Sequence, residues 1–508
     1  MHKGLQGLLL AAGLGVAASA HAVVLGVRDQ GQVLIFPYYT ASAGNTTLIA
    51  LANNSDQGRI VQLRVAEGNI GDTALVLNIY LAGRDSWSGA IGTDGGRSGA
   101  FLISDDSTCL LPALGAPLPD HPGRRLQPLA LAGMPPDAQA RTFEGWVEAI
   151  EIATVQPNTA TDRAIGNVPG VARNCAALAA AWTAPGGYWT ALPTRDLGNP
   201  RGGLSGYSAV INVAAGTYFG AAAVALDEFR IDPTDRPRGT LSSVVRHFLP
   251  GAQQLTLADA VTDPQDRYVL ASAVADNRSL TLTYPLERAV DAVSAVLAAD
   301  EISADFDTRE GIGATTSFVQ MFPTKRFYTN PTLLPPGTTA PLPPFRAMYN
   351  ALAPFSVIER QAVLIVDREA VVLVDSGAPQ FGGCEASARH PATALAVTVP
   401  GGGPPDPLLG TRFHGPMNQI CGGGPGEPLN AVGNVTLKLG QALFGNGPVA
   451  LRPSREGLRL TGLPVIATRL TNYVNTGAQQ GVLANYSSAL PVTARARCVD
   501  GTGQPCER

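Results

Sequence analysis

Two acids four residues apart, Glu144 and Glu148, are the best candidates in this chain for general acid–base chemistry. They stand in RTFEGWVEAIEIAT (141–154), whose apolar alternation predicts a strand with Trp146 and Ile150 on the same face as both acids. Four strand residues set the carboxyls ~13 Å apart at ~3.3 Å per residue. Glycoside hydrolase pairs lie only ~5 to 9.5 Å apart, so a hydrolytic role needs a third partner. Ordinary solvated strand carboxylates are the plainer reading. Trp87, Trp146, Trp182 and Trp189 offer flat faces for sugar stacking. Their scatter over several elements favours core packing for most of them, and leaves Trp87 and Trp146 as the glycan-binding candidates.

Lys325 shares the mature chain with one other lysine, Lys438, and sits among Phe322, Arg326, Phe327 and Tyr328. A desolvated lysine binds anions or reacts. The favoured alternative is a charge that, with Pro323, keeps an edge strand from pairing with another sheet. Gly203-Leu204-Ser205-Gly206-Tyr207 has its second glycine displaced from the nucleophile-elbow position. His121, His247, His390 and His414 stand at no metal-ligand spacing from one another or from cysteine, so no metal site is expected. His247 is read as structural rather than as a base. Asp259, Asp263 and Asp266, or Asp300, Asp305 and Asp307, supply oxygen for Ca²⁺, but neither set has the spacing of a calcium loop.

The elements that must hold these residues are strands. From Val33 to Ile91 the chain reads VLIFPYYT, GNTTLIALANNSDQ, GRIVQLRVAEGNIGD and TALVLNIYLAGRDSWSGAI, apolar runs separated by Gly, Asn, Asp and Ser clusters, as in successive strands joined by tight turns. Val61, Leu63 and Val65 point to one side and Gln62, Arg64 and Ala66 to the other, as on a half-buried strand whose alternation Ile60 breaks. Residues 111–140 read as a long loop. Asn174–Trp182 is a helix capped by Asn174 and stopped by Pro185-Gly186-Gly187. Leu204–Val213 and Thr217–Leu226 form a hairpin. Ala289–Ala299 is a helix joining two domains, and Thr315–Thr329 is a strand containing a proline.

The fold expected is all-β: two immunoglobulin-like β-sandwich domains with a few short helices and long Gly/Pro-rich loops. Residues 1–22 form a signal peptide, 23–288 the first sandwich, 289–314 a helix and linker, and 315–508 the second sandwich. Within the second, 331–344 is a proline-rich stretch, either linker or surface loop.

Lys3, the apolar run Leu8–Ala18 and the small-x-small site Ala20-His21-Ala22 have the form of a secretory signal cut after residue 22. No later stretch is a continuous apolar span, so membrane insertion is not expected. The net charge of −4 is mild and argues against nucleic acid as partner. Cys109, Cys175, Cys384, Cys421, Cys498 and Cys506 all follow the cut, and an even number in an oxidising compartment points to disulfides. Six cysteines allow 15 pairings. Nearest-neighbour pairing is expected, because it keeps each bridge within one predicted domain.

Several of these runs also resemble a group of secreted proteobacterial β-rich proteins of unknown function. The likeness rests on Tyr38-Tyr39-Thr40, on Arg64, Glu67 and Gly68, and on Tyr80, Leu81, Asp85 and Trp87. It continues through Ser107-Thr108-Cys109, Glu144-Gly145-Trp146-Val147-Glu148, Leu204-Ser205-Gly206 and Phe322 to Tyr328. Ala82-Gly83 replaces the Ser-Pro of that pattern. The resemblance spans most of the mature chain and implies export and one recurring architecture, with no activity attached.

The expectation is an exported structural or surface-interaction protein without catalytic activity, found in the periplasm or at the cell surface. Its partners are itself, other surface proteins or glycans. The alternatives are a secreted carbohydrate-binding protein or hydrolase using Glu144, Glu148 and an exposed tryptophan, and a periplasmic assembly factor presenting a sheet edge.

Overall fold

The computed structural model describes residues 21–506 apart from 94–97, 116, 119–120, 184, 233–243, 252–253, 263–266, 351–357, 370–371, 376–384, 401–407, 421–431, 441–448 and 480–481. The chain is mostly β, as its strand patterns predict.

Its first half contributes β1 (Val24–Leu25), β2 (Val33–Thr40), β3 (Thr46–Asn53), β4 (Arg59–Glu67), β5 (Thr73–Leu81), β6 (Ser86–Gly92), β7 (Phe101–Ser104) and β8 (Cys109–Leu111). These are followed by β9 (Pro117–Leu118), β10 (His121–Pro128), β11 (Glu144–Val155), β12 (Leu197–Gly198), β13 (Leu204–Asn212), β14 (Thr217–Ala222) and β15 (Val224–Asp227). Sheet I runs β1-β15-β2-β11-β4-β5-β8, with β12 on the end of β11, and sheet II runs β14-β13-β3-β6-β7-β10-β9. Neighbours in both are antiparallel.

Alternation decides which sheet face is dry. Along β3, Thr47, Ile49 and Leu51 are buried, while Leu48 and Ala50 are exposed. The inward set meets Leu34, Phe36, Val61, Leu63, Val65, Val147 and Ala149 from sheet I, with Trp87 of β6 in the same core. The predicted second hairpin arm is two strands. It breaks at Ala223, β14 staying in sheet II while β15 crosses to sheet I.

The centre of sheet I has no solvent face, which corrects the half-buried reading of β4. Every position of β4 and β11 is buried. Ile60 and Ala66 join Trp146 and Ile150 in a second core with Leu255, Leu257, Leu395, Val397 and Phe413. Ile60 therefore keeps the alternation, because both sides are apolar somewhere. Gln62, on that same side, exchanges two hydrogen bonds with the Leu255 backbone, at 2.7 and 2.8 Å.

Three short helices, α1 (Ala160–Ala164), α2 (Cys175–Ala180) and α3 (Tyr188–Ala191), cover one end of sheet I. The Asn174 side chain caps α2 by accepting from the Ala177 N–H, as expected from its place in the sequence. The hairpin β16 (Tyr268–Ala275) and β17 (Arg278–Pro285) leads into α4 (Ala289–Val296), which is buried at every position.

The second half forms one sheet whose strand order, among the described residues, runs from Val482–Pro491 through Ile466–Gln479, Ala314–Met321, Leu395–Val399 and His414–Ile420. It continues through Glu385–Pro391, Ile358–Asp367, Val432–Lys438 and Glu301–Asp307 to Thr493–Arg495. Leu395–Val399 and His414–Ile420 are parallel. Ile302, Phe306, Phe318, Val363, Ile365, Ala396, Val435 and Leu437 come from both ends of this order into one core, so the sheet folds over on itself.

Two local readings change here. Glu301–Asp307, expected within a linker, is a strand of this sheet. The expected strand 315–329 ends at Met321, and the chain turns through Phe322-Pro323-Thr324-Lys325 into a helix at Arg326–Thr329. Pro323 has no N–H to extend a ladder, which accounts for the stop. The proline-rich stretch after it is anchored to the second half: Leu342 N–H donates to Tyr328 O, and Phe345 is buried.

Candidate functional site

Glu148 and Trp146, paired by the sequence as catalytic acid and sugar platform, lie inside the joint between sheet I and the second half. Glu148 and Arg64 are each 1% exposed, and the Arg64 Nη1 lies 2.9 Å from the Glu148 Oε1. The Trp146 indole N–H donates to the same oxygen at 2.9 Å. Arg64 also donates to Thr73 Oγ1 and to the Gly71 carbonyl, which accepts a further bond from Arg326 Nη1 at 2.7 Å. Burial lowers the Arg326 pKa to about 10, with Arg64 pushing the same way.

Glu144 is fully buried. The Tyr38 hydroxyl and the Arg412 N–H both donate to its carboxylate at 2.9 Å. Burial raises its pKa, against the Arg412 N–H and the other donors that lower it. The neighbouring Glu67 receives Arg141 at 2.9 Å and three backbone N–H groups, those of Asn69, Ile70 and Asp72. At the bulged end of β11, Glu151 takes Arg59 at 3.0 Å and the N–H groups of Arg201 and Gly202. Its burial pushes the carboxyl up to about 7.

These pairs sit beside backbone contacts that close the joint. Ala394 and Leu395 N–H groups donate to Asn69 O and Gly68 O, at 2.7 and 2.9 Å. Gly68 is required there, because a Cβ would stand 2.7 Å from the Phe413 ring. Arg64, Glu67, the Glu144–Glu148 run and Arg326 thus form an ionic cluster, closed by Gly68, between sheet I and the second half. Among them only Glu144 and Glu148 stand out in the sequence as candidate acids. The basic partners lack a signal, since an arginine on a strand reads as solvated.

The other candidates are also internal. Trp87 is fully buried in the core between sheets I and II. Lys325 is buried at the start of the short helix, its Nζ 5.3 Å from the Phe345 ring centre and 5.9 Å from that of Phe322. It is therefore on no edge strand, and the gatekeeper reading does not apply. His247 packs among Tyr80, Trp182 and Trp189. Its Nδ1–H donates to Pro193 O at 2.7 Å, so Nε2 accepts from the Tyr80 hydroxyl at 3.1 Å. Burial lowers its pKa to about 4.

Of the acids weighed for calcium, Asp259 accepts from the backbone and hydroxyl of Thr256, while Asp300, Asp305 and Asp307 are held by Arg497, Arg469 and Arg309. Asp263 and Asp266 lie outside the described residues. Among the described residues no cluster of three or more His, Cys, Asp or Glu is placed to hold a metal.

Two expected disulfides are present: Cys109–Cys175, which ties α2 to β8, and Cys498–Cys506. Cys384 and Cys421 lie outside the described residues. The two bridges suggest an oxidising environment. Among the described residues no helix is long and apolar enough to cross a membrane.

The open surface of the first half is the outer face of sheet II. Its outward positions on β14, β13, β3, β6 and β7 include Tyr218, Tyr207, Ile211, Leu48, Phe101 and Ile103, with Ala, Ser, Thr and Gly between, and carry no charge. Tyr207, Tyr218 and Leu48 are 38%, 48% and 43% exposed. The two phenol hydroxyls bond each other, and the Tyr207 ring lies across Gly220, which has no Cβ to obstruct it. The β14 edge is covered: Tyr218 N–H donates to Ser487 Oγ at 2.8 Å, and Asn485 reaches Ala215 O. At the other edge β9 is two residues long and begins with proline. No protein-family model, curated protein or solved structure matches this chain.

Proposed function

We propose that this is an exported, non-catalytic protein that acts by surface contact, and that the contact is with a second copy of itself through the outer face of sheet II. The observation that carries the reading is the uncharged, exposed character of that face over its five strands β14, β13, β3, β6 and β7. Two copies meeting face to face bring no like charges together, and the mixture of tyrosine, leucine and isoleucine with small residues suits packing of one sheet on another.

Five strands at ~4.8 Å spacing and ~6 residues of ~3.4 Å cover roughly 500 Å², or about 1,000 Å² over both partners. That is the lower bound for a specific interface, so the association is reversible. The covered β14 edge favours face packing over the sheet-edge alternative. The burial and arginine pairing of Glu148, and the sealing of Glu144, Trp87 and Trp146, weigh against a hydrolase built on them, since a sugar has no route to either acid. The facing sheets I and II of the first half, antiparallel throughout, and the folded-over sheet of the second half are read as immunoglobulin-like sandwiches. The signal sequence and the disulfides support export.

The test is light scattering of oxidised residues 23–508 across concentration, with and without Ca²⁺. Mass rising reversibly toward two chains, and staying at one chain in Leu48→Asp, is the expected result. One-chain mass at every concentration overturns it. If that mass comes with saturable glycan binding abolished by Tyr207→Ala, the face is a sugar platform instead.

A further inference from the structure

The residues around the expected signal cut are built into the fold. Val23 is fully buried and bridges Ala271 in parallel: its N–H donates to Leu270 O at 2.9 Å, and its carbonyl accepts from Ser272 N–H at 2.8 Å. One residue before it, Ala22 N–H donates to Glu228 Oε2 at 2.9 Å, and the His21 Nδ1 lies 3.4 Å from Glu228 Oε1. One residue after it, Val24 pairs with Asp227 in β15. The Ala22–Val23 peptide bond thus lies between β15 and β16, with Ala22 only 6% exposed. A protease binds its substrate as an exposed extended chain, so the cut precedes docking of this segment.

Glu228 has a second peculiarity. It holds φ +53°, in the left-handed region that strains a side-chain-bearing residue. Glycine would relieve that strain, yet the position carries a carboxylate aimed at Ala22.

We propose that Glu228 and the Leu270 carbonyl form a seat for the α-ammonium of Val23. Hydrolysis adds water across the Ala22–Val23 bond: the carboxylate leaves with Ala22, and the amine stays on Val23 and takes a proton. The bond to Leu270 O persists as a charge-assisted one, stronger than the neutral N–H bond it replaces. Glu228 loses Ala22 N–H and His21 and becomes the counter-ion of the new charge. An α-amine with an ordinary pKa of ~7.7 to 8.0 stays protonated beside a carboxylate at neutral pH. The seat fixes β1 against β15 and β16 once the leader is gone. It rests on the export reading for the position of the cut.

The test uses protein exported and processed by a bacterial host, its N-terminus read by intact mass. Its α-amine is then acylated at neutral pH in the folded and the urea-unfolded state. The expected result is an N-terminus at Val23 whose amine reacts about tenfold more slowly when folded. Glu228→Gln removes most of that protection. Glu228→Gly, which also relieves the backbone strain, does the same in a chain that stays folded. An N-terminus anywhere but Val23 overturns both the cut and the seat. A Val23 amine equally reactive in both states, unmoved by either variant, overturns the seat alone.

Discussion

Arg64 and Glu148 face each other across β4 and β11 at 2.9 Å, both 1% exposed, in the layer where the two halves of the chain meet. Two charges taken this far from water are costly singly and tolerable together, because each supplies the field and the hydrogen bonds that the other has lost. The pair therefore neutralises the sheet I side of the joint while making the acid unavailable to a substrate.

Removing one partner should expose that cost. Arg64→Met leaves Glu148 buried and uncompensated and is expected to lower stability by about 3 to 5 kcal/mol. The double variant Arg64→Met, Glu148→Leu should recover most of the loss. Urea denaturation of the single and double variants checks it, and equal losses in both would refute the pairing argument.

Two buried groups tilt stability with pH in opposite directions. His247 takes its proton near 6.5 when unfolded but only near 4 when folded. Between those values the unfolded chain binds more protons, so its contribution is full above 6.5 and falls on acidification, by about 3 kcal/mol at pH 4. Glu151 keeps its proton to about 7 when folded, against 4.5 ordinarily. Its contribution is full below 4.5 and falls by a similar amount as pH rises through 7. His247→Phe should therefore leave a curve that declines from pH 4.5 to 6.5, and Glu151→Gln one that rises. Denaturant midpoints across that range read both slopes.

The two described disulfides close loops of very different length, with sequence separations of 66 and 8. Chain entropy then gives about 4 kcal/mol to Cys109–Cys175 and about 2.5 kcal/mol to Cys498–Cys506. Paired Cys→Ser variants, followed by thermal and urea unfolding, should rank in that order.

Gly145 is fixed by its neighbour strand. A Cβ there would stand 1.9 Å from the Ala66 carbonyl oxygen and 3.0 Å from the Glu67 Cα, both backbone. Gly145→Ala must push β11 off β4 and is expected to cost 3 kcal/mol or more, above the ~1 to 3 kcal/mol usual for overpacking. Gly123 has nothing within 4 Å of its Cβ position, and Gly123→Ala should stay within about 0.5 kcal/mol of wild type. Comparing their melting temperatures settles the point.

What the sequence determined was local. Asn174 caps the helix it precedes, and the Cys109–Cys175 and Cys498–Cys506 pairings follow from spacing and compartment. It also puts Trp146, Ile150, Glu144 and Glu148 on one face of one strand. What it left open was what covers that face. Alternation reports that two sides differ, and a side bearing Gln62, Arg64 and Glu148 reads as solvent because isolated charges belong in water. Only the tertiary structure brings Arg64 to Glu148, Arg141 to Glu67 and the Arg412 N–H to Glu144, and so makes burial of those carboxylates tolerable. Those partners come from up to 268 residues away, and no periodicity within a strand encodes that distance. The exposed face of sheet II was decided there too, since an outward row of Leu48, Tyr207 and Tyr218 looks like core until the neighbouring layer is found on its other side.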